Sequence, residues 1–285
     1  MISINDQRVL FWDNSASSFS DLTKELNDNL VGTSALTIDT NDAIYIGSFL
    51  PFSNLFMGVE SANAVSSNLL FEYWDGSTWR SVVDTIDFTQ SSGATLSSSG
   101  VVHIFPDDQY TWSYVERTTD VADLTEFAAG PEIYKKYWTR IRTSAVITVT
   151  LNYIGTLFCD ENELITTYPQ FNSSTLKNSW AVGKTDWLDQ RIMASEYVVL
   201  ELKKRDLIAD RSQIIETSIY KPAAIHKTAE IIFNGLGARN YAAEIVAAKE
   251  RLKDSMNLNH FEIDVNANAI KERAEQTISI RRGTR

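Results

Sequence analysis

Asn68 to Val82 reads NLLFEYWDGSTWRSV, and its pattern is that of a β-hairpin. Leu70, Glu72 and Trp74 alternate with Phe71 and Tyr73, so neighbouring side chains go to opposite faces of a strand. The aromatics among them favour that conformation. Asp75-Gly76-Ser77 supplies the turn, because glycine accepts positive φ without steric cost and aspartate can bond the backbone two residues on. Thr78 to Val83 then runs back. Aromatic pairs across such arms stabilise by roughly 0.2–1 kcal/mol each. A hairpin alone is marginal in water, so this one predicts further strands on both sides.

Short strands do recur. Val9-Leu10-Phe11-Trp12, Ala35-Leu36-Thr37-Ile38 and Ala43-Ile44-Tyr45-Ile46-Gly47 precede the hairpin, with Asn41-Asp42 as a turn between the last two. Phe19 to Leu30 reads instead as a short helix, with Leu22, Leu26 and Leu30 four apart. After the hairpin, Gln90 to Gly100 is Ser- and Gly-rich and reads as a mobile loop. Val101 to Phe105 is a strand stopped by Pro106. Tyr137 to Arg142 alternates, with one face aromatic or aliphatic and the other bearing Arg140 and Arg142. Ala145 to Tyr153 is the strongest strand signal in the chain. Seven or more short strands separated by turns predict a sandwich or jelly-roll-like barrel.

After Cys159 the periodicity lengthens. Asp160-Glu161-Asn162-Glu163 opens a helical turn that Pro169 ends. Thr185 or Asp186 caps a helix through Arg205, with Leu188, Ile192, Val199 and Leu202 on one face. A helix opening at Pro222 carries Ile225, Ala229, Ile232 and Leu236 and closes at Gly235 or Gly237. A third carries Tyr241, Ile245, Ala248, Leu252 and Met256. The tail changes again. Phe261, Ile263 and Val265 alternate, as do Ile278 and Ile280, and the chain ends Arg281-Arg282-Gly283-Thr284-Arg285. Two strands or an extended arm fit that pattern.

Charge follows the same division. The 285 residues are 44% hydrophobic and 22% charged, which is ordinary for a globular chain. Residues 1–160 hold 8 Lys/Arg and 20 Asp/Glu, net −12, whereas residues 161–285 hold 18 and 17, net +1. The break predicts an α+β chain of two domains. An antiparallel β-sandwich or jelly-roll-like domain spans 1–158, a small helical domain 159–258, and an extended C-terminal arm 259–285. The acidic first half argues against nucleic-acid binding there, because phosphates would be repelled. No apolar run of about 18 residues exists, so no transmembrane helix is expected. Met1 to Asp6 lacks a basic or apolar region, so no signal peptide is expected. Cys159 is the single cysteine, which excludes an intrachain disulfide and a cysteine zinc cluster and fits a reducing cytosol. It reads as a small buried hydrophobe.

Catalytic signatures are sparse. There is no phosphate-binding Gly-rich loop, no dinucleotide fingerprint, no His-Glu-x-x-His and no Gly-x-Ser-x-Gly. His103, His226 and His260 fall on a strand, a helix and the arm, and read as structural. Asp107-Asp108 is a conceivable carboxylate pair, as a glycosidase would need in a cleft, but reads better as a solvated turn. Trp74, Trp79 and Trp112 would make a sugar-stacking platform if they shared one exposed face; otherwise they are core. Lys203-Lys204-Arg205 reads as a solvated helix end, and the arginine-rich terminus as a fraying tail. The expectation is therefore no enzyme, with no catalytic, cofactor or metal residues and no cofactor.

The hairpin Phe71 to Trp79, the strand Tyr137 to Arg142 and the helical part with its strand-like basic tail together resemble structural proteins of tailed bacteriophages. The first half resembles β-sandwich modules of neck, tail and baseplate proteins. The second, from about Glu161, is similar to head–tail connector (adaptor) proteins. That resemblance implies a virion protein, assembled in the host cytoplasm, that docks under the portal protein among other neck and tail proteins. It implies self-association into a ring, twelvefold in that family, with an arm reaching a neighbour. Genomic DNA would pass through the channel without sequence-specific contact, and no membrane would be involved. The arm Phe261 to Arg285 would add a strand to a neighbour's sheet edge. The alternative is a glycan-binding component of a baseplate or tail fibre, built on the three tryptophans.

Overall fold

A computed structural model describes residues 7–27, 32–105, 112–115, 136–209, 211–214, 217–257, 260–261 and 278–279. The chain is mixed α+β. It falls into two compact units, the first running to Gly155 and the second beginning at Thr156.

The first unit holds β1 (Arg8–Asp13), β2 (Ser18–Asp21), α1 (Thr23–Asn27), β3 (Ser34–Ile38), β4 (Ala43–Ser48), β5 (Asn54–Ser61) and β6 (Leu69–Trp74). It continues with β7 (Trp79–Ser81), β8 (Asp84–Asp87), β9 (Gly100–Phe105), β10 (Tyr114–Val115), β11 (Lys136–Thr143) and β12 (Ile147–Gly155). A seven-stranded sheet, here sheet A, has the order β2-β1-β4-β11-β6-β7, with β10 also on β11. Sheet B has five strands in the order β3-β12-β5-β9-β8. Every ladder between these described strands is antiparallel.

Period-two patterning places the core. In β3, Ser34, Leu36 and Ile38 are buried while Ala35 and Thr37 face out. One cluster takes Val9, Ile44 and Phe71 from sheet A and Leu36, Val102 and Val149 from sheet B, so residues of both sheets share a core. The other face of sheet A has its own aromatic cluster, including Tyr45, Trp74 and Trp138. In β11 the arginine face is thus not purely basic: Trp138 shares it with Arg140 and Arg142 and is fully buried.

Two local expectations are corrected. Phe19 to Leu30 does not form one helix. Phe19 lies opposite Trp12 in the β1–β2 ladder, ring centroids 4.5 Å apart, and the ladder claims the backbone up to Asp21. Only then does α1 start, placing Leu26 in the core; Leu30 lies outside the described residues. The stretch from Gln90 to Gly100 is a tied loop. Asp87 Oδ1 accepts from the Thr89 amide and hydroxyl, Asp87 Oδ2 accepts from the Thr95 hydroxyl at 2.5 Å, and Leu96 is fully buried. Asn63 adds a donation to the Thr95 carbonyl. Buried polar groups need such partners, and here they fix the loop.

The second unit holds α2 (Glu161–Thr167), α3 (Ser174–Trp180), α4 (Leu188–Lys204), α5 (Lys221–Gly237) and α6 (Ala242–Ser255), with short 3-10 turns at Pro169–Asn172, Arg211–Gln213 and Ser218–Tyr220. Asp160 and Glu163 form a reciprocal capping box on α2. Pro222 sits in the first turn of α5, and Gly237 at φ +124 ends it. Asp186 Oδ1 accepts from the Leu188 amide at the start of α4, whereas Thr185 uses its carbonyl to hold Lys177. The helix α3, capped by Ser173, is an addition to the sequence reading. Ile225, Ala229 and Ile232 of α5, Val198, Val199 and Leu202 of α4, and Ile245, Ala248 and Leu252 of α6 share a core with Phe158 and Cys159.

Of the arm, β13 (His260–Phe261) and β14 (Ile278–Ser279) are described. They pair with each other, antiparallel, with His260 opposite Ser279. The described part of the arm is thus a two-residue ladder within the chain. Ile263, Val265, Ile280, Arg281, Arg282 and Arg285 lie outside the described residues, as do Asp107 and Asp108.

Candidate functional site

The hairpin and the outer face of sheet A gather the chemistry-bearing residues of the first unit. Asp75 closes the hairpin. Its Oδ1 accepts from the Ser77 amide, the Ser77 hydroxyl and the Thr78 amide at 2.8–2.9 Å, and its Oδ2 accepts from Arg80 Nε at 2.6 Å. Gly76 takes φ +96, a conformation suited to glycine, and a Cβ there would meet Ser113 Oγ at 2.6 Å. Burial pushes the Asp75 carboxyl up. The bonds from Arg80, Thr78 and Ser77 outweigh it and hold the group far below the usual carboxylate range.

Across the outer face, register brings Tyr45, Arg140 and Glu72 into one row. Glu72 Oε2 accepts from Arg140 Nε at 2.8 Å and from Arg142 Nε and Nη2 at 3.1 and 3.0 Å. The Arg140 guanidinium lies 4.8 Å from the Trp79 ring centroid. Burial alone would lower the Arg140 pKa; the hydrogen bond and charge of Glu72 outweigh it and raise it. Trp79 meets both Trp74 and Tyr45 edge-on, at 5.5 and 5.6 Å, and the aromatic chain continues through Phe19 to Trp12. Gly47 is glycine for packing reasons: a Cβ would stand 2.8 Å from Trp138 Cη2.

These groups are matched in place. One carboxylate takes two guanidiniums, and the Trp79 ring lies under that of Arg140. The arrangement makes a largely buried, ion-paired aromatic layer on the outer face of sheet A. The sequence carried a signal for it: Arg140 and Arg142 share one face of a buried strand, which calls for a carboxylate opposite, and Glu72 is the acid inside the aromatic strand of the hairpin.

The three tryptophans do not come together as a platform. Trp112 stacks on Tyr73 at 5.3 Å and meets Phe52, on the core face, while Trp74 and Trp79 lie on the outer face. Trp74 and Trp112 are buried. The histidines are dispersed as well. His103 packs edge-on to Phe88 on β9, and His226 Nδ1 lies 2.9 Å from Tyr168 Oη on α5. Burial, then the charge of Arg251, lowers the His226 pKa. Cys159 is buried; burial pushes its thiol up to about 12, with Arg191 and Thr228 opposing. Lys204 pairs with Glu201, and Arg205 Nη1 donates to the Met256 carbonyl, so the triplet at the end of α4 is partly used in packing.

Among its described residues the second unit has a largely buried ionic knot that the sequence did not announce. Glu161 bridges Lys177 at 3.1 Å and Arg191 at 3.3 Å and accepts from the Trp187 amide at 3.1 Å. Arg191 Nη1 also donates to the Cys159 carbonyl. The knot ties α2, α3 and the start of α4 together. Among the described residues no group of three His, Cys, Asp or Glu side chains is placed to hold a metal, and no helix is long and apolar enough to cross a membrane.

Comparison of the chain with protein-family models, with curated proteins and with solved structures gives no match.

Proposed function

We propose that this chain is a structural, non-enzymatic virion protein of a tailed bacteriophage, a neck connector or adaptor that joins head to tail as a closed ring of copies. One observation carries the reading: the hairpin Phe71 to Trp79, the stretch behind the resemblance, spends its side chains on the fold. Phe71 and Tyr73 enter the core, Trp74 the outer aromatic cluster, Glu72 an ion-pair pair, and Asp75 the turn. A residue set used this way serves shape and contact surface. We read the two sheets as the layers of a sandwich, because residues of both line one core. The helical unit is then the connector part beneath the portal, with DNA passing without sequence-specific contact. The glycan-binding alternative needs Trp74, Trp79 and Trp112 side by side, and they lie on two faces of one sheet.

Sedimentation velocity and negative-stain images of the purified chain, with gold labelling of tailed particles, test the reading. The expected result is a closed ring, twelvefold by the resemblance, and label at the head–tail junction. A chain that stays monomeric and is absent from particles refutes it.

A further inference from the structure

The two sheets of the first unit end on four strands: β2 and β7 in sheet A, β3 and β8 in sheet B. An edge strand offers unpaired amides and carbonyls, and proteins blunt it by shortness, charge, proline or a bulge. Three of the four are blunted. β2 is four residues long, follows Ser17 at φ +48 and carries Asp21. β7 is three residues centred on Arg80. β8 carries Asp84 and Asp87 at its two ends. The fourth, β3, reads Ser34-Ala35-Leu36-Thr37-Ile38, with no charge, proline or glycine. It pairs with β12 over all five residues in one unbroken register. Among the described residues β12 is its one strand neighbour, so its other edge is open.

The strand is also complementary to itself. Leu36 and Ile38 point into the shared core, and Ala35 and Thr37 point out. Consider a second β3 laid antiparallel on the open edge, about a two-fold axis through Leu36. Ser34 then lies opposite Ile38 of the other copy, Ala35 opposite Thr37, and Leu36 opposite its own counterpart. Each buried row continues the other, and the outward row stays small and uncharged. Past the ends Thr33 meets Asp39 and Gly32 meets Thr40, so no like charges face each other. The same operation through the middle of β7 sets Arg80 on Arg80, and through the middle of β8 sets Asp84 on Asp87 twice. Like charges directly opposed across strands destabilise the pair. Residues 1–160 carry net −12, so an uncharged strand is where two copies of this unit approach at least electrostatic cost.

We propose that the open edge of β3 is an interaction site and that its occupant is β3 of a second copy. The two strands join antiparallel about the two-fold axis, and sheet B of one chain runs on into sheet B of the other. In such strand addition main-chain hydrogen bonds supply affinity and alternate side chains supply register. The contact is isologous, so it is complete at two copies. It does not rest on the ring reading above, since it uses neither the helical unit nor the arm.

The test compares the full-length chain with the double variants A35K/T37K and A35E/T37E by sedimentation velocity over one concentration range. Circular dichroism and thermal melting check the fold, which both variants keep because Ala35 and Thr37 are exposed. In the proposed register each variant sets like charges opposite one another at two places. Each alone therefore pairs at least about tenfold more weakly than the native chain. An equal mixture of the two restores pairs, one chain of each kind, because every lysine then faces a glutamate. Salt tightens the native pair, as screening of the acidic units shortens from about 10 Å at 0.1 M to about 3 Å at 1 M. Amide exchange across Ser34 to Ile38 slows as the native pair forms. A native chain that associates equally well in both variants overturns the β3 pairing. So does a mixture that stays apart, exchange at β3 that is unchanged by concentration, or a native chain monomeric throughout. A native pair that never grows beyond two copies upholds this inference and counts against the ring; rings untouched by both variants do the reverse.

Discussion

Replacing Glu72 by glutamine tests whether sheet A is held by its buried carboxylate. The side chain is 11% exposed and its two partners, Arg140 and Arg142, are 16% and 35% exposed. Breaking a buried pair by removing one partner costs about 3–5 kcal/mol, because a charge is left uncompensated. The Arg142 arm is a third open to water, and an exposed ion pair contributes only about 0–1 kcal/mol. The glutamine carbonyl keeps one neutral hydrogen bond, which returns about 1 kcal/mol. The expected loss is therefore about 2–4 kcal/mol. For a unit of this size it appears as a fall in Tm of about 5–15 °C. Thermal melting followed by near-UV circular dichroism, which reports the surrounding tryptophans, measures it. A double-mutant cycle with Arg140→Met isolates the pair. A loss below about 1 kcal/mol, or no coupling between Glu72 and Arg140, refutes the reasoning that this ion pair holds the sheet.

Three further outcomes are expected. Asp75 has a folded-state pKa below its unfolded value, so its stabilisation is present above about pH 4 and is lost as pH falls through the folded pKa. Asp75→Asn should lower stability at pH 7 and flatten the acid limb of a stability–pH curve; an unchanged limb counts against it. Gly47→Ala should cost about 1–3 kcal/mol by forcing the Trp138 ring to move, read as a lowered denaturant midpoint at constant slope. Cys159, buried and with its thiol pushed up to about 12, should react with a thiol reagent at pH 8 only as fast as the helical unit opens. Rapid labelling of the native chain would contradict the burial.

Features set by neighbours in sequence were legible there. The hairpin turn needs only Asp75, Gly76 and Thr78, the α2 cap only Asp160 and Glu163, and β12 only its own alternation. What failed depends on partners far along the chain. Phe19 to Leu30 has leucines four apart, yet pairing with β1 overrides that local preference. The loop after β8 looks soft by composition and is fixed by Asp87, Thr89, Thr95 and Asn63, whose bonds only the folded loop brings together. The tryptophans could be located on strands, but which face each one takes depends on sheet order and the crossovers between strands. Trp112 reaches Tyr73 from 39 positions away in the chain. For the same reason the face carrying Arg140, Glu72 and Trp79 was visible as three fragments and not as one surface.

The order of strands also has a consequence during synthesis. β11 lies between β4 and β6 in sheet A, and β12 lies between β3 and β5 in sheet B. The last two strands of the unit to leave the ribosome are thus interior members of the two sheets. Until residue 155 has emerged, β4 and β6 each present a row of open amides and carbonyls, and so do β3 and β5. Those edges include hydrophobic runs such as Ala43 to Ile46, which are prone to pair with the wrong chain. Closure of both sheets has to wait for β11 and β12. With pairings this distant in sequence, it should be slow, on the millisecond-to-second scale of non-local β folds. Chains stopped before Lys136 should therefore aggregate rather than fold, while those released just past Gly155 should yield the finished unit.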